Sequence, residues 1–219
     1  MAAKKRIGIL ISGRGSNMLS LIAAAREADY PAEIVCVLSN RPGAEGLARA
    51  SAAGIATQAI DHKAFDTREA FEEKLDAALR AANVDIVACA GFMRKMTAGF
   101  VERWRDRMLN IHPSLLPAFK GLDTHERALA AGVKLAGCTV HIVRPELDAG
   151  PIIAQAAVPV LPDDTAAALA ARVLEAEHLL YPHALSLIAS GRAAIEGEQV
   201  KIAQVPVNQA IPLYWPPLS

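Results

Sequence analysis

The sequence predicts an α/β fold: a Rossmann-like, mostly parallel twisted sheet with helices on both faces and an antiparallel C-terminal part. Two observations predict the parallel part. Short, nearly continuous apolar runs have the character of buried strands, and Ala-rich amphipathic stretches alternate with them. A third predicts the antiparallel part. The apolar runs 136–143 and 152–160 follow one another with no helical pattern between them, joined only by residues 144–151.

Taken in order, residues 6–12 read as a buried strand and 17–28 as a helix. Residues 32–39 form a second strand, closed by the turn chemistry of Asn40-Arg41-Pro42-Gly43. Residues 44–53 are helical and stop at Gly54, as a left-handed C-cap would stop them. A short strand follows at 55–60. Residues 67–82 carry Phe71, Leu75, Ala78 and Leu79 at helical spacing. Residues 84–90 are a wholly apolar strand ending at Gly91, 97–104 a helix and 108–111 another short strand. After the antiparallel pair, 164–189 reads as a long helix with Asp163 or Asp164 as N-cap and Gly191 behind it. Residues 193–205 offer an edge hairpin, and the Pro-rich stretch 206–219 is expected to be an irregular tail. The expected organisation is one domain over 1–205 and that tail.

Composition narrows the function. The chain has 219 residues, 53% of them hydrophobic and only 5% aromatic, and 44 alanines fill the gap. That much apolar sequence buries a core and excludes intrinsic disorder. Lys plus Arg equals Asp plus Glu at 23 each, so neither a nucleic-acid coat nor a polybasic membrane anchor is expected. No apolar run approaches the roughly 18 residues of a membrane span, and the N-terminal apolar run is too short for a signal peptide. Cys36, Cys89 and Cys138 are far apart in apolar surroundings, the pattern of reduced cysteines in a cytoplasmic protein. The six histidines show no metal-ligand spacing with them, so no metal is expected.

Ligands of open α/β sheets sit at the carboxyl ends of the strands. Residues 13–17, 40–43, 91–96 and 110–117 all follow predicted strands and should converge there. Ser12-Gly13-Arg14-Gly15-Ser16-Asn17 joins a strand to a helix whose start suits an anion. It matches neither a dinucleotide fingerprint nor a Walker loop. It reads equally as a phosphate cradle or as a plain turn capped by Ser16. Asn110 and His112 lie two apart on a strand, so both side chains face one side. An amide beside a protonated imidazole suits a developing oxyanion. A nearby carboxylate would raise the imidazole pKa, and Asp148, in the loop between the antiparallel strands, is the best candidate. Each residue alone also reads as an ordinary turn or core residue.

Together these segments resemble the small folate-dependent phosphoribosylglycinamide formyltransferases of purine synthesis. The resemblance runs from Arg6 to about Glu196. It rests on the residue 12–17 loop, Ala90-Gly91-Phe92-Met93-Arg94, the Asn110-Ile111-His112-Pro113-Ser114-Leu115-Leu116-Pro117 string, Gly121-Leu122-Asp123-Thr124-His125, Glu146-Leu147-Asp148-Ala149-Gly150-Pro151 and Glu177-His178. It implies that glycinamide ribonucleotide attacks the formyl carbon of 10-formyltetrahydrofolate through a tetrahedral oxyanion, with the folate as co-substrate. It implies that Asn110 and His112 stabilise that oxyanion, with Asp148 as partner of His112 and proton relay. It further implies that Gly15, Ser16 and Asn17 hold the phosphate and Glu177 the sugar hydroxyls. Met93, Arg94, Lys95, Met96 and Asn110 would hold the folate ring, and Arg68 its glutamate tail.

Three other readings compete. A 10-formyltetrahydrofolate hydrolase would carry an extra N-terminal domain, for which a first strand at Arg6 is expected to leave no room. A methionyl-tRNA formyltransferase would carry a basic tRNA-binding domain, at odds with zero net charge. A non-catalytic nucleotide binder would not need Asn110, His112 and Asp148 together. The expected partners are small molecules, with the chain a monomer or a homodimer.

Overall fold

The computed structural model describes residues 3–203 and Trp215. The predicted tail lies outside the described residues, save for Trp215, whose indole Nε1 donates to the Val160 carbonyl at 3.3 Å.

Seven strands form one sheet in the order β3-β2-β1-β4-β5-β6-β7. β1 (Lys5–Ile11), β2 (Ala32–Ser39), β3 (Ala56–Ala59), β4 (Ile86–Cys89) and β5 (Met108–His112) are parallel. β6 (Leu135–Ile142) and β7 (Ile152–Pro159) run antiparallel, as the missing helix between their apolar runs predicts. Strand alternation divides the core between the two faces. Ile7, Ile9 and Ile11 of β1 pack with α1 (Ser16–Ala25), α2 (Glu45–Ala52) and α6 (Ala166–Ala189). Leu10 instead packs with α3 (Arg68–Ala81) and α4 (Ala98–Arg103). The buried apolar residues of α3, Phe71, Leu75 and Leu79, recur every fourth position and give the helix its apolar stripe. Gly8 lets that helix approach the sheet. A Cβ there would lie 2.7 Å from Leu79 Cδ2 and 2.9 Å from Val84 Cγ2. Truncating fully buried Leu75 to Ala would cost about 2–5 kcal/mol.

Four expectations are corrected. The N-cap of α6 is Thr165, whose hydroxyl accepts from Ala168 N, not Asp163 or Asp164. Asp164 is otherwise engaged: it accepts from Leu161 N at 2.8 Å and forms a two-bond pair with Arg172 at 2.7 and 2.9 Å. Ser16 does not cap α1. The cap is Gly15, left-handed at φ 73°, with no side-chain bond to the helix start. A helix of about two turns, α5 (Thr124–Ala130), follows Asp123 where no helix is expected. Finally, the C-terminal hairpin of β8 (Ala193–Glu196) and β9 (Gln199–Ile202) is a separate two-stranded sheet rather than an edge of the main one.

The three cysteines are unpaired and buried on β2, β4 and β6. Burial pushes the thiols up, to about 11 at Cys36 and about 12 at Cys89 and Cys138. Among the described residues no helix is long and apolar enough to cross a membrane.

Candidate active site

The loops beyond β4, β5 and β6 enclose a cavity of about 740 Å³, with the starts of α1 and α5 and the middle of α6 completing its wall. It lies where an open α/β sheet presents its carboxyl ends.

β5 supplies the floor. Asn110 and His112 both line the cavity, two residues apart on the strand. The antiparallel neighbour sets His141 opposite Asn110 and Thr139 opposite His112. Thr139 Oγ1 donates to the Ser114 carbonyl at 2.7 Å and accepts from Leu116 N at 3.0 Å, which binds the 113–117 turn to the sheet.

Asp148 reaches the same floor from the 143–151 loop. Its backbone is left-handed, φ 48°, a conformation Asp tolerates better than most residues. Its Oδ2 accepts from Gly121 N at 2.9 Å and lies 3.4 Å from His112 Nδ1, and its Oδ1 lies 3.8 Å from His141 Nε2. Both imidazoles are buried.

The hydrogen bonds fix which nitrogens carry protons. His112 Nε2 faces the Phe119 carbonyl at 3.0 Å, so it donates. His141 Nδ1 faces the Ile142 carbonyl at 2.9 Å, so it donates as well. Burial lowers the His141 pKa, opposed by that carbonyl and by Asp148. Neutral His141 therefore offers a lone pair on Nε2, and Asn110 Nδ2 donates to it at 3.3 Å. That bond orients the Asn110 amide and leaves its second hydrogen unassigned.

A different carboxylate stands at the α6 side. Glu177 is buried, and Asn17 Nδ2 donates to its Oε2 at 2.6 Å. Burial raises the Glu177 pKa, with the Asn17 bond opposing. Asn17 Oδ1 is buried without a partner among the described residues. Glycine suits position 15: besides the positive φ, a Cβ there would meet Met18 Cε at 3.0 Å and the Gly46 backbone at 3.3 Å, both tight contacts.

The 91–96 segment forms another wall. Ser12 anchors it, accepting from Met93 N at 2.8 Å while donating to Asn40 Oδ1 at 2.6 Å. Buried Glu72 anchors the far end by accepting from Thr97 N at 2.8 Å and from its hydroxyl. The Arg94 guanidinium lies 5.2 Å over the Phe71 ring.

The cavity thus brings together Asn17, Met93, Arg94, Lys95, Met96, Asn110, His112, Asp148 and Glu177. It leaves out three predicted positions. Gly15 and Ser16 lie next to Asn17 but do not line it, and Arg68 is the exposed first residue of α3. His141, Ser12 and Glu72 were not assigned from the sequence. The pairing of β6 with β5 is the signal that finds His141.

An α/β sheet with a small-molecule cavity at its strand ends, floored by an amide, two imidazoles and a carboxylate, defines the class. Within that class the chain belongs to the formyl transferase family, whose model matches residues 5–185. The phosphoribosylglycinamide formyltransferase of Escherichia coli K12 is 45% identical over 186 residues, 85% of this chain and 88% of that one. The human trifunctional purine biosynthetic protein adenosine-3 is 49% identical over 202 residues, 92% of this chain. The chain spans only 20% of that relative's length. The glycinamide ribonucleotide transformylase 1 structure from Symbiobacterium toebii superposes with a TM-score of 0.90 at 46% identity, covering 93% of this chain and 96% of that one.

Proposed function

We propose that this chain transfers the formyl group of 10-formyltetrahydrofolate to the amino group of glycinamide ribonucleotide, a cytoplasmic step of purine synthesis. The observation that carries the reading is the floor of the cavity, where Asn110, His112, Asp148 and His141 form one connected polar cluster. Family membership and the names of the relatives support the same reaction.

In this reading the amine attacks the formyl carbon and a tetrahedral oxyanion forms. Asn110 donates its second amide hydrogen to that oxygen, and His112 acts as an imidazolium paired with Asp148. His112 Nε2–H faces a neutral carbonyl at Phe119. An oxyanion wins that hydrogen because a charge-assisted bond is about twice as strong as a neutral one. As the intermediate collapses, the amine loses a proton and the departing folate nitrogen gains one. Asp148, acting through water, relays it.

The ribonucleotide lies at the α1 side. The uncapped start of α1 offers backbone N–H groups and the positive end of the helix dipole to the phosphate. Gly15, Ser16 and Asn17 stand there, and the Glu177 carboxylate accepts the sugar hydroxyls. The folate ring lies along residues 93–96, and Arg68, outside the cavity, meets a glutamate tail that projects from it.

The test is to incubate the protein with 10-formyltetrahydrofolate, with and without glycinamide ribonucleotide, and follow release of tetrahydrofolate. Release is expected only with the amine. Release without it would make the chain a hydrolase, and no release in either case would make it a binder.

A further inference from the structure

The 143–151 loop carries Asp148 and lines the cavity along residues 143–148. Its two ends are tied to the sheet, one to β6 and one to β5. Ile142 N donates to the Pro151 carbonyl at 2.8 Å, and Val143 N donates to the Met108 carbonyl at 2.8 Å. Between those ends the loop has two buried charged side chains, Asp148 at 8% exposure and Arg144 at 7%. Arg144 turns away from the proposed chemistry. Its Nη2 donates to Asp106 Oδ1 at 2.7 Å, and its Nε donates to Glu198 at 3.0 and 3.2 Å. Arg105 Nη2 reaches the same Glu198 carboxylate at 3.3 Å.

Glu198 sits in the turn between β8 and β9, beyond the span matched by the family model. The hairpin is not part of the main sheet, yet its turn is joined through two arginines to the β4–β5 side of the molecule and to the Asp148 loop. Burial works against the Arg144 charge, and the bonds to Asp106 and Glu198 outweigh it, raising its pKa. A guanidinium held in a planar, multi-bond clamp fixes the backbone that bears it more firmly than a single surface pair does.

We infer that Glu198 is a positioning residue: through Arg144 the β8–β9 hairpin braces the loop that presents Asp148 and one wall of the formyl-donor site. This inference rests on the proposed function for its kinetic consequence only. Asp106 is the second foot of the brace, and Glu146, which pairs with Lys120 at 3.4 Å, is an exposed contact further along the loop.

The variants are Glu198→Gln and Asp106→Asn, both at exposed positions that should not disturb folding. The first readout is amide hydrogen exchange over residues 143–150 in the free protein. Exchange there should quicken about fivefold in Glu198→Gln, the upper range for loss of the partly exposed Arg144–Glu198 pair that reaches this loop, with α3 unchanged. The second is a kinetic split: KM for the formyl donor rises by a similar factor while KM for the ribonucleotide stays put. Glu198→Asp should restore most of both. As a control, Glu196→Gln removes the Glu196–Lys201 pair of the same hairpin without touching Arg144 and should change neither readout. Unchanged exchange in Glu198→Gln overturns the inference, as does an equal change in Glu196→Gln or an equal rise in both KM values. Exchange needs no substrate. If the wild type transfers no formyl group, the proposed function falls and the brace is still decided.

Discussion

Two buried carboxylates line one cavity, and their surroundings differ completely. Glu177 is met by a single amide, Asn17, and burial drives it toward its neutral form. Asp148 is met by a backbone N–H and by two imidazoles, one on each oxygen. The first environment is built to accept hydrogen bonds from a bound polar group, the second to share charge with a base. The same side-chain chemistry is given two jobs by what stands within 4 Å of it. In the proposed reaction these are recognition at one end and catalysis at the other.

The sharpest way to break this division is at the catalytic end. Asn110→Ala and His112→Ala should each lower kcat about 100- to 1,000-fold, the scale of one lost oxyanion donor, with the ribonucleotide KM nearly unchanged. Retention of most turnover by either variant would remove the catalytic end from the comparison. Glu177→Gln should do the reverse. It should raise the ribonucleotide KM about tenfold and leave kcat nearly intact, as loss of a charged hydrogen-bond partner predicts. His141→Phe should give a smaller loss, about fivefold in kcat, because Asn110 keeps its place on β5 but loses the acceptor that orients its amide.

The smallest effect is on stability, and it has opposite signs at the two ends. The folded Glu177 pKa is raised, so its contribution is fully present below the unfolded value near 4.5 and is lost as pH rises through the folded value. The folded His141 pKa is lowered, so its contribution is present above the unfolded value near 6.5 and is lost as pH falls through the folded value. Thermal melts should therefore show Glu177→Gln gaining on the wild type as pH rises, and His141→Phe gaining as pH falls. Parallel melting curves for both variants across pH 4–8 would contradict the difference in environment.

The parallel half of the fold is readable because its signals are local. Each apolar run is a strand and each Ala-rich stretch a helix, within two residues at the ends except for α1, which stops three residues short of the expected 28. The pairing of Asn110 with His112 is readable for the same reason, since two residues on one strand share a face. The position of Asp148 beside them is not local. It depends on a left-handed backbone and a contact 36 residues away, so the sequence offers Asp148 only as a candidate in the loop between two strands, strengthened by the resemblance. His141 and His125 are legible as cleft residues without a role, and the place of His141 beside Asn110 follows only from the register of β6 on β5. Asp164 looks like a cap by type, but Arg172 and Leu161 N claim its oxygens, and Thr165 caps instead. The seven-residue α5 lacks the length to display a period.

The three thiols, on separate strands of the sheet, carry a practical consequence. With pKa values of about 11 to 12 in the closed sheet, they are almost wholly in the unreactive protonated form at neutral pH. Each becomes an alkylation target only when its own strand opens, so mass tags added during a timed pulse would record which part of the sheet gives way first. The molecule thus carries three internal clocks, one on β2, one on β4 and one on β6, with no label to engineer.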